Sequence, residues 1–552
     1  MTPQIFISKL EFNDNTVMDL SSSDIVIFTG ANNAGKSQVL RDIDNKMSKD
    51  THKTIVLRSL QYTHTGDIKE LEDSFKKKEG GYQMPGYEFR EFSEIENWWK
   101  NNDYRFSNMF KNLLNTENRL LVSNNTQSFN ALHQEPTTPI QKLYKDDTLE
   151  KKLSDLFYEA FNERLIVNRG GGNTIPMHVG TPPQMMAGED RVSNSYLKRL
   201  EALPELQTQG DGMRSFAGIL LDVFTTKKTI TMIDEPEAFL HPPQARLLGR
   251  MLVKNKPNDR QLFISTHSED FLKGLLDADT SNVKIVRINR EGNANYIKIL
   301  DNEGVKNLWK DSILRYSNIL SGLFHSKVVI CESDTDCRFY QAILNAIYEG
   351  KDLVSPDILF THCGGKDRFK SVVPALRALN VKTVVVPDFD VLDKDGTFGP
   401  ICEVMGMKWD DISSKWKSIS SYVASQRAHL NTEEARKDIK EILDNIKTEQ
   451  LTIDDIDAIK DKLKASSAWA KVKEVGKTFF RGGVYTDLND VMEKCRKNGI
   501  FIVPVGELEC FYRPASAKKH GSAWVNIVMA LDLANDPELE EARKFVNEIT
   551  DY

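Results

Sequence analysis

The 552-residue sequence lacks any run of eighteen apolar residues, so it offers no transmembrane helix. It has six cysteines, at 331, 337, 363, 402, 495 and 510, and no two of them form a C-x-x-C pair. That spacing argues against structural zinc and a disulfide framework, and fits unpaired thiols in a reducing cytoplasm. Cationic excess is missing as well: 73 Lys and Arg face 80 Asp and Glu, for a formal net charge of −7. Such a chain has no global footprint for nucleic acid, so any contact must use local basic patches or bound cations. The start, Met1-Thr2-Pro3-Gln4, enters a strand with no basic segment before it, and no secretory signal is expected.

What is present is an ordinary globular composition, 40% hydrophobic and 28% charged. The length exceeds what one core can organise and predicts about two to four domains. Residues 4–29 read as strand, turn, strand, and Ile25-Val26-Ile27-Phe28 is a buried strand by its apolar run. It leads into Gly30-Ala31-Asn32-Asn33-Ala34-Gly35-Lys36-Ser37, a complete G-x-x-x-x-G-K-S. In that pattern backbone amides wrap a phosphate, Lys36 reaches the β/γ-phosphates and Ser37 is placed for Mg²⁺. The helix expected from Ser37 onward puts its N-terminus on the phosphates.

The stretch 45–205 says least. Thr54-Ile55-Val56-Leu57 reads as a strand, with Gln61 beyond it either a metal- or water-sensing residue or an exposed loop glutamine. Leu149, Leu153, Leu156, Phe157, Ala160 and Phe161 repeat at helical spacing. Arg169–Asn173 and the stretch around Pro182-Pro183 read as loops.

Chemistry returns at Gln209-Gly210-Asp211-Gly212-Met213-Arg214-Ser215, which opens a helix as an anion site or as an ordinary helix start. Thr229–Ile233 is a buried strand ending in Asp234-Glu235-Pro236-Glu237. An Asp there holds a Mg²⁺ shell and the Glu polarises an attacking water, as phosphoryl transfer requires. Leu262-Phe263-Ile264-Ser265-Thr266-His267 is a further strand ending in a histidine, placed as a γ-phosphate sensor. Together these motifs resemble ABC-type ATPases of the SMC-like branch, in which nucleotide is sandwiched between two heads. The resemblance implies Asp234 as an outer-sphere Mg²⁺ residue, Glu235 as catalytic base, His267 as switch histidine, and Asp211 with Gly212 as the signature facing a second head. "TQGDG" lacks the leading Leu-Ser of the usual L-S-G-G-Q.

A second acidic system follows. Val328-Val329-Ile330 is a short apolar strand closing on Glu332-Ser333-Asp334-Thr335-Asp336, and Thr383–Val386 ends in Pro387-Asp388-Phe389-Asp390. A Glu and a D-x-D at the carboxyl ends of neighbouring parallel strands make a hard-oxygen site for Mg²⁺ or Mn²⁺. With Gly364-Gly365-Lys366, these motifs resemble a TOPRIM domain, Ser333 standing where that domain usually has Gly. An ABC-like ATPase followed by TOPRIM resembles the OLD-family nucleases. The resemblance extends to Ile500–Val503 leading into Glu507 and Glu509, the acidic motif completing the metal site, Glu509 first. It implies a charge-stabilising lysine at Lys518 or Lys519, or else an ordinary solvated one.

The expected fold is α/β: an ABC-type P-loop ATPase domain over 1–320, with an insertion at about 75–205 that is a candidate dimerisation region, then a TOPRIM domain over 326–552. The latter carries a helical insertion at about 400–497, in which Thr452-Ile453-Asp454-Asp455 reads as a capping box. Stripes at Ala435, Ile439, Ile442, Leu443 and Ile446, and at Ile453, Ile456, Ile459 and Leu463, read as helices packed on the TOPRIM sheet. Lys471, Lys473, Lys477 and Arg481, interleaved with Trp469, Phe479 and Phe480, read as a nucleic-acid surface or a solvated basic face.

The expected activity is ATP-regulated, metal-dependent cleavage of nucleic-acid phosphodiesters. DNA is the favoured substrate and RNA the alternative. Glu332, Asp388, Asp390 and Glu509, with Asp336 and Glu507 beside them, would hold cations about 3.5–4 Å apart. A homodimer or larger even oligomer, and a role in defence against phage or plasmids, follow from the resemblance. Two rivals stay open: a partner-dependent effector acting on RNA or tRNA, and an ATP-driven DNA-binding protein whose TOPRIM site is silent.

Overall fold

The computed structural model describes residues 3–48, 53–72, 75–83, 89–278, 281–301, 303, 305, 306, 309, 318–426, 432–446, 450–464, 468–516 and 521–552. The chain divides into two compact units, Met1–Arg315 and Tyr316–Tyr552.

The first unit is built on a six-stranded sheet in the order Ala294–Leu300, Val283–Glu291, Ile25–Thr29, Gln261–Ser265, Ile230–Asp234, Lys111–Leu114. Five strands run parallel and Ala294–Leu300 closes one edge antiparallel. Ile25–Thr29 and Gln261–Ser265 are buried at every position, as strands covered on both faces must be. Gln4–Phe12 pairs with Val17–Asp19 and Leu57–Thr65 in a second, antiparallel sheet. Leu10, Phe12, Val39, Ile43 and Trp99 belong to the apolar cluster between this sheet and the first.

The expected strand over Thr54–Leu57 begins only at Leu57 and runs to Thr65. The amides of Ile55, Val56 and Leu57 all donate to one carboxylate oxygen of the buried Asp42, at 3.0, 2.7 and 3.0 Å. Their hydrogen bonds are spent on a side chain rather than on a ladder. Gln61 is exposed and lies on that strand rather than in a loop. The helical stripe ending at Phe161 is the helix Asp147–Phe161.

The second unit has a three-stranded parallel sheet, with Lys327–Cys331 between Ile358–His362 and Lys382–Val386. The expected strand Ile500–Val503 is extended beside Lys382–Val386 and pairs through Val385 and Ile500. The Phe501 amide donates to Val385 at 2.9 Å and that of Val503 to Pro387 at 3.0 Å. Pro387 has no N–H to return, so the ladder cannot continue past it. Asn318–Phe324 form a 3-10 helix ahead of this sheet.

In the insertion the capping box is present: Thr452 Oγ1 accepts from the Asp455 amide at 3.2 Å, and Asp455 accepts from the Thr452 amide at 2.8 Å. Thr432–Asn445 and Ile453–Lys464 pack on each other. They leave Leu443, Ile453 and Ile456 exposed, against the expectation that these stripes bury themselves on the sheet. No described helix is long and apolar enough to cross a membrane.

Candidate functional site

Two sites form, one in each unit. In the first, Ile25–Thr29 delivers the chain to the phosphate loop, and the helix Lys36–Met47 rises from it. Gly30 has φ +142°, and a Cβ there would lie 2.2 Å from the main-chain oxygen of Ile288. Only glycine lets the loop pass so close to the neighbouring strand. Asn32 and Asn33 are exposed on the loop, Asn33 with a left-handed φ of 61°. Ala34 is buried beneath, and its carbonyl accepts from Asn295 at 2.8 Å. Lys36 Nζ donates to the carbonyls of Gly30 and Ala31, each at 3.0 Å, and Ser37 occupies the first helical turn. A concave loop at a helix N-terminus with a lysine across its mouth fits a nucleotide phosphate.

Asp234 ends its strand and accepts from the hydroxyl of Ser265 at the end of the adjacent strand. Glu235 follows with φ 49°, uncommon for a residue with a side chain. Arg119, fully buried on the helix Thr116–Val122, donates to the carbonyls of Asp234 at 2.6 Å and Glu235 at 2.9 Å. His267 Nδ1 lies 3.4 Å from carboxylate oxygens of both Glu235 and Glu237. Glu237 is buried and accepts from Thr266 Oγ1 at 2.8 Å and from the His267 amide at 2.9 Å. Burial raises its carboxyl above the ordinary value, opposed by those amide and hydroxyl donors. Asp211 and Gly212 open the helix Asp211–Thr225, where Asp211 pairs with Arg214 at 3.1 Å.

The second site stands at the carboxyl ends of Lys327–Cys331 and Lys382–Val386. Among the described residues, Glu332, Asp388 and Asp390 each bring a carboxylate oxygen within 4.8 Å of the others. The Asp388 amide donates to Glu332 at 3.0 Å, fixing one strand end on the other. Burial pushes Asp388 well above the usual carboxylate range, with Glu332 adding to it and Lys473 opposing. Burial also raises Glu332, against the Asp388 amide. Three converging carboxylates, all hard oxygen donors, fit Mg²⁺ or Mn²⁺.

The other expected acids do not join this cluster. Asp336 accepts from the Ser333 amide at 2.8 Å and caps its own helix, Asp334–Tyr348. Ser333 has φ −133°, so a side chain is accommodated where glycine is usual. Glu509 accepts from the Gly521 amide at 2.7 Å. Glu507 faces Lys473, 3.3 Å away. Lys518 and Lys519 lie outside the described residues.

Two lysines reach the acids. Lys366, at the end of the Gly364-Gly365 turn, is 2.6 Å from Asp390. Lys473, on the helix Ala468–Val475 of the insertion, is 3.3 Å from Asp388 as well as from Glu507. Burial works against its charge, but Asp388, Asp390 and Glu507 outweigh that and hold its pKa above the ordinary lysine value. The basic stretch around it is therefore not a uniform outward face. Phe480 is buried and stacks on Phe389 at 5.9 Å, and Phe479 meets Tyr422 edge-on at 6.1 Å. Phe480 thus packs against the D-x-D loop, while Phe479 stays half-buried.

Two families match this chain. Residues 183–272 match AAA_21, "AAA domain, putative AbiEii toxin, Type IV TA system", and 323–390 match OLD-like_TOPRIM, "Overcoming lysogenization defect protein-like, TOPRIM domain". The "Old nuclease" of Escherichia phage P2 is 26% identical over 170 residues, which is 30% of this chain and 28% of the relative. The "OLD nuclease" of Thermus scotoductus is 28% identical over 172 residues, 29% of this chain and 30% of that one. The matched stretch thus spans less than a third of either relative. Among solved structures, the Smc head bound to the C-winged helix domain of ScpA covers 55% of this chain and 99% of its own, at 12% identity and a TM-score of 0.35. The SMC head domain from Thermotoga maritima covers 55% and 100%, at 11% identity and 0.26.

Proposed function

From a chain that joins an AAA_21 ATPase domain to an OLD-like TOPRIM domain and is homologous to OLD nucleases, we infer an ATP-regulated, divalent-metal-dependent endonuclease. The observation that carries the reading is the convergence of Glu332, Asp388 and Asp390 at the ends of two parallel strands. These three carboxylates would hold Mg²⁺ or Mn²⁺. A cation there polarises a phosphodiester and acidifies a water molecule. The Asp388 amide fixes the Glu332 carboxylate, and Lys366 holds Asp390 in place.

In the other unit the phosphate loop, Lys36 and Ser37 would hold ATP with Mg²⁺, and Asp234 would support the ion. Glu235 accepts the proton of the attacking water, and His267 reports the γ-phosphate. ATP hydrolysis is not needed to break a phosphodiester, so this unit gates the nuclease. DNA is the substrate, two heads close on nucleotide, and the biological setting is defence against phage or plasmids. The two nuclease relatives support the nucleolytic part of this reading.

The test incubates the full chain with supercoiled and linear DNA and Mg²⁺ or Mn²⁺, with and without ATP, beside Asp388→Ala. Metal-dependent cleavage that Asp388→Ala abolishes is expected. Intact ATP hydrolysis with no cleavage under any condition would turn the reading to a partner-dependent effector acting on RNA. The exposed Leu443, Ile453 and Ile456 of the insertion favour that second reading.

A further inference from the structure

Lys473 is not a surface lysine that happens to fold over an acid. Its carbonyl accepts from Cys510 Sγ at 3.7 Å, and the Lys477 amide donates to Pro504 at 3.0 Å. Gly506 has φ +119°, and a Cβ on it would lie 1.9 Å from the Lys473 carbonyl oxygen. The main chain of the helix Ala468–Val475 is thus seated directly on the turn that carries Glu507 and Glu509. From that seat the ammonium reaches Asp388 and Glu507 equally, 3.3 Å from each.

A second divalent cation placed between the D-x-D and the Glu507 motif would meet that same pair. Asp388 is the acid of the three-carboxylate cluster that also faces the Glu507 motif. Two like charges a few ångströms apart on shared carboxylates repel strongly in a partly buried site. A lysine delivered by a packed helix already holds that place, so a second cation would have to displace its ammonium.

We propose that Lys473 takes the position of the second metal, so that the nuclease site binds one divalent cation, on Glu332, Asp388 and Asp390. Its ammonium supplies the other positive charge to the non-bridging oxygens of the scissile phosphodiester. This deepens the nuclease reading and rests on it for the substrate, while the ion count does not depend on cleavage. A fixed ammonium suits the task because it carries charge and hydrogen-bond donors without having to be captured from solution.

The experiment counts Mn²⁺ bound to the nucleotide-free full chain by electron paramagnetic resonance and calorimetry, in a Lys36→Ala background that removes phosphate-loop lysine chemistry. The chain with Lys473 intact is compared with Lys473→Met and Lys473→Arg, and Lys473→Met is also combined with Glu507→Gln. One tight Mn²⁺ is expected with Lys473 intact and with Lys473→Arg, two with Lys473→Met, and one again when Glu507→Gln is added. Cleavage, measured with ATP in chains that keep Lys36, is expected to fall about 10²–10³-fold in Lys473→Met, the size of losing one transition-state charge donor, with partial recovery in Lys473→Arg. Two tight ions in the presence of Lys473, or faster cleavage in Lys473→Met, would overturn the assignment. Absence of cleavage in every protein, with the ion count changing as expected, would overturn the stand-alone nuclease reading and leave the lysine-for-metal exchange standing.

Discussion

Arg119 donates to the carbonyl oxygen of Glu235 at 2.9 Å from a position 116 residues earlier in the chain. It also holds the Asp234 carbonyl, and it is fully buried. Glu235 stands in the left-handed region, so its side chain is aimed by a backbone that a buried guanidinium fixes from behind. Arg119→Ala is expected to slow ATP hydrolysis about 10²-fold, the effect of misplacing a reacting group by roughly an ångström, while ATP binding persists. Phosphate release measured beside nucleotide binding checks this. Wild-type turnover in the variant would remove Arg119 from the support of the site.

Gly506→Ala is expected to injure the second unit. The added Cβ meets the Lys473 carbonyl, and φ +119° is strained for any side chain. Overpacking of this kind destabilises by about 1–3 kcal/mol, and here it also drives Lys473 away from Glu507. Gly396→Ala is the control, because its Cβ would meet nothing within 4 Å and should change stability by no more than about 0.5 kcal/mol. Thermal unfolding and DNA cleavage of both variants decide the matter.

Asp390→Asn is expected to weaken Mn²⁺ binding by more than about tenfold, because a neutral oxygen replaces one of three converging carboxylates. ATP hydrolysis should be unchanged. Calorimetry with Mn²⁺ and a phosphate-release assay on one preparation separate the two outcomes.

Lys327 gives a pH prediction away from both sites. Its Nζ donates to the carbonyls of Ile549 at 2.9 Å and Thr550 at 2.7 Å, in the last turn of the C-terminal helix. Burial lowers its pKa to about 8, Lys382 adds to the shift and Asp551 opposes it. The unfolded chain binds the proton up to about pH 10.4, so between about 8 and 10.4 it holds more protons than the folded chain. Stability therefore rises with pH across that window and is unaffected by this group's titration below it. The melting temperature of the wild type relative to Lys327→Gln should shift in favour of the wild type from pH 8 to pH 10. A constant difference would mean that the amine is not buried as its neighbours imply.

The parts legible in the sequence are those whose chemistry is local. A strand leading to Gly30–Ser37, a strand ending in Asp234-Glu235 and two strands ending in Glu332 and Asp388 each declare themselves within about ten residues, because turn geometry and phosphate or metal contacts need neighbours in the chain. Asp42 displaces the strand expected at Thr54: a helical aspartate takes the three amides, and nothing local announces that. Arg119 and Asn295 are invisible for the same reason, since each serves a motif more than a hundred residues away. Lys473 is conspicuous in the sequence for another reason. Basic and aromatic residues alternate there as on a nucleic-acid surface, and only the tertiary seat on Gly506 turns one of them inward.

That seat has a consequence for anyone trimming or grafting this protein. The helical segment at about 400–497 looks detachable in a linear diagram, a decoration between two catalytic motifs. Its helix Ala468–Val475 is nevertheless keyed into the turn after Val505 with no room for a methyl group. Deleting the segment to obtain a minimal nuclease, or exchanging it with that of a relative, would leave a gap under one motif and an uncompensated carboxylate pair beside the other. The smallest transferable piece is therefore both motifs together with that helix of the segment between them.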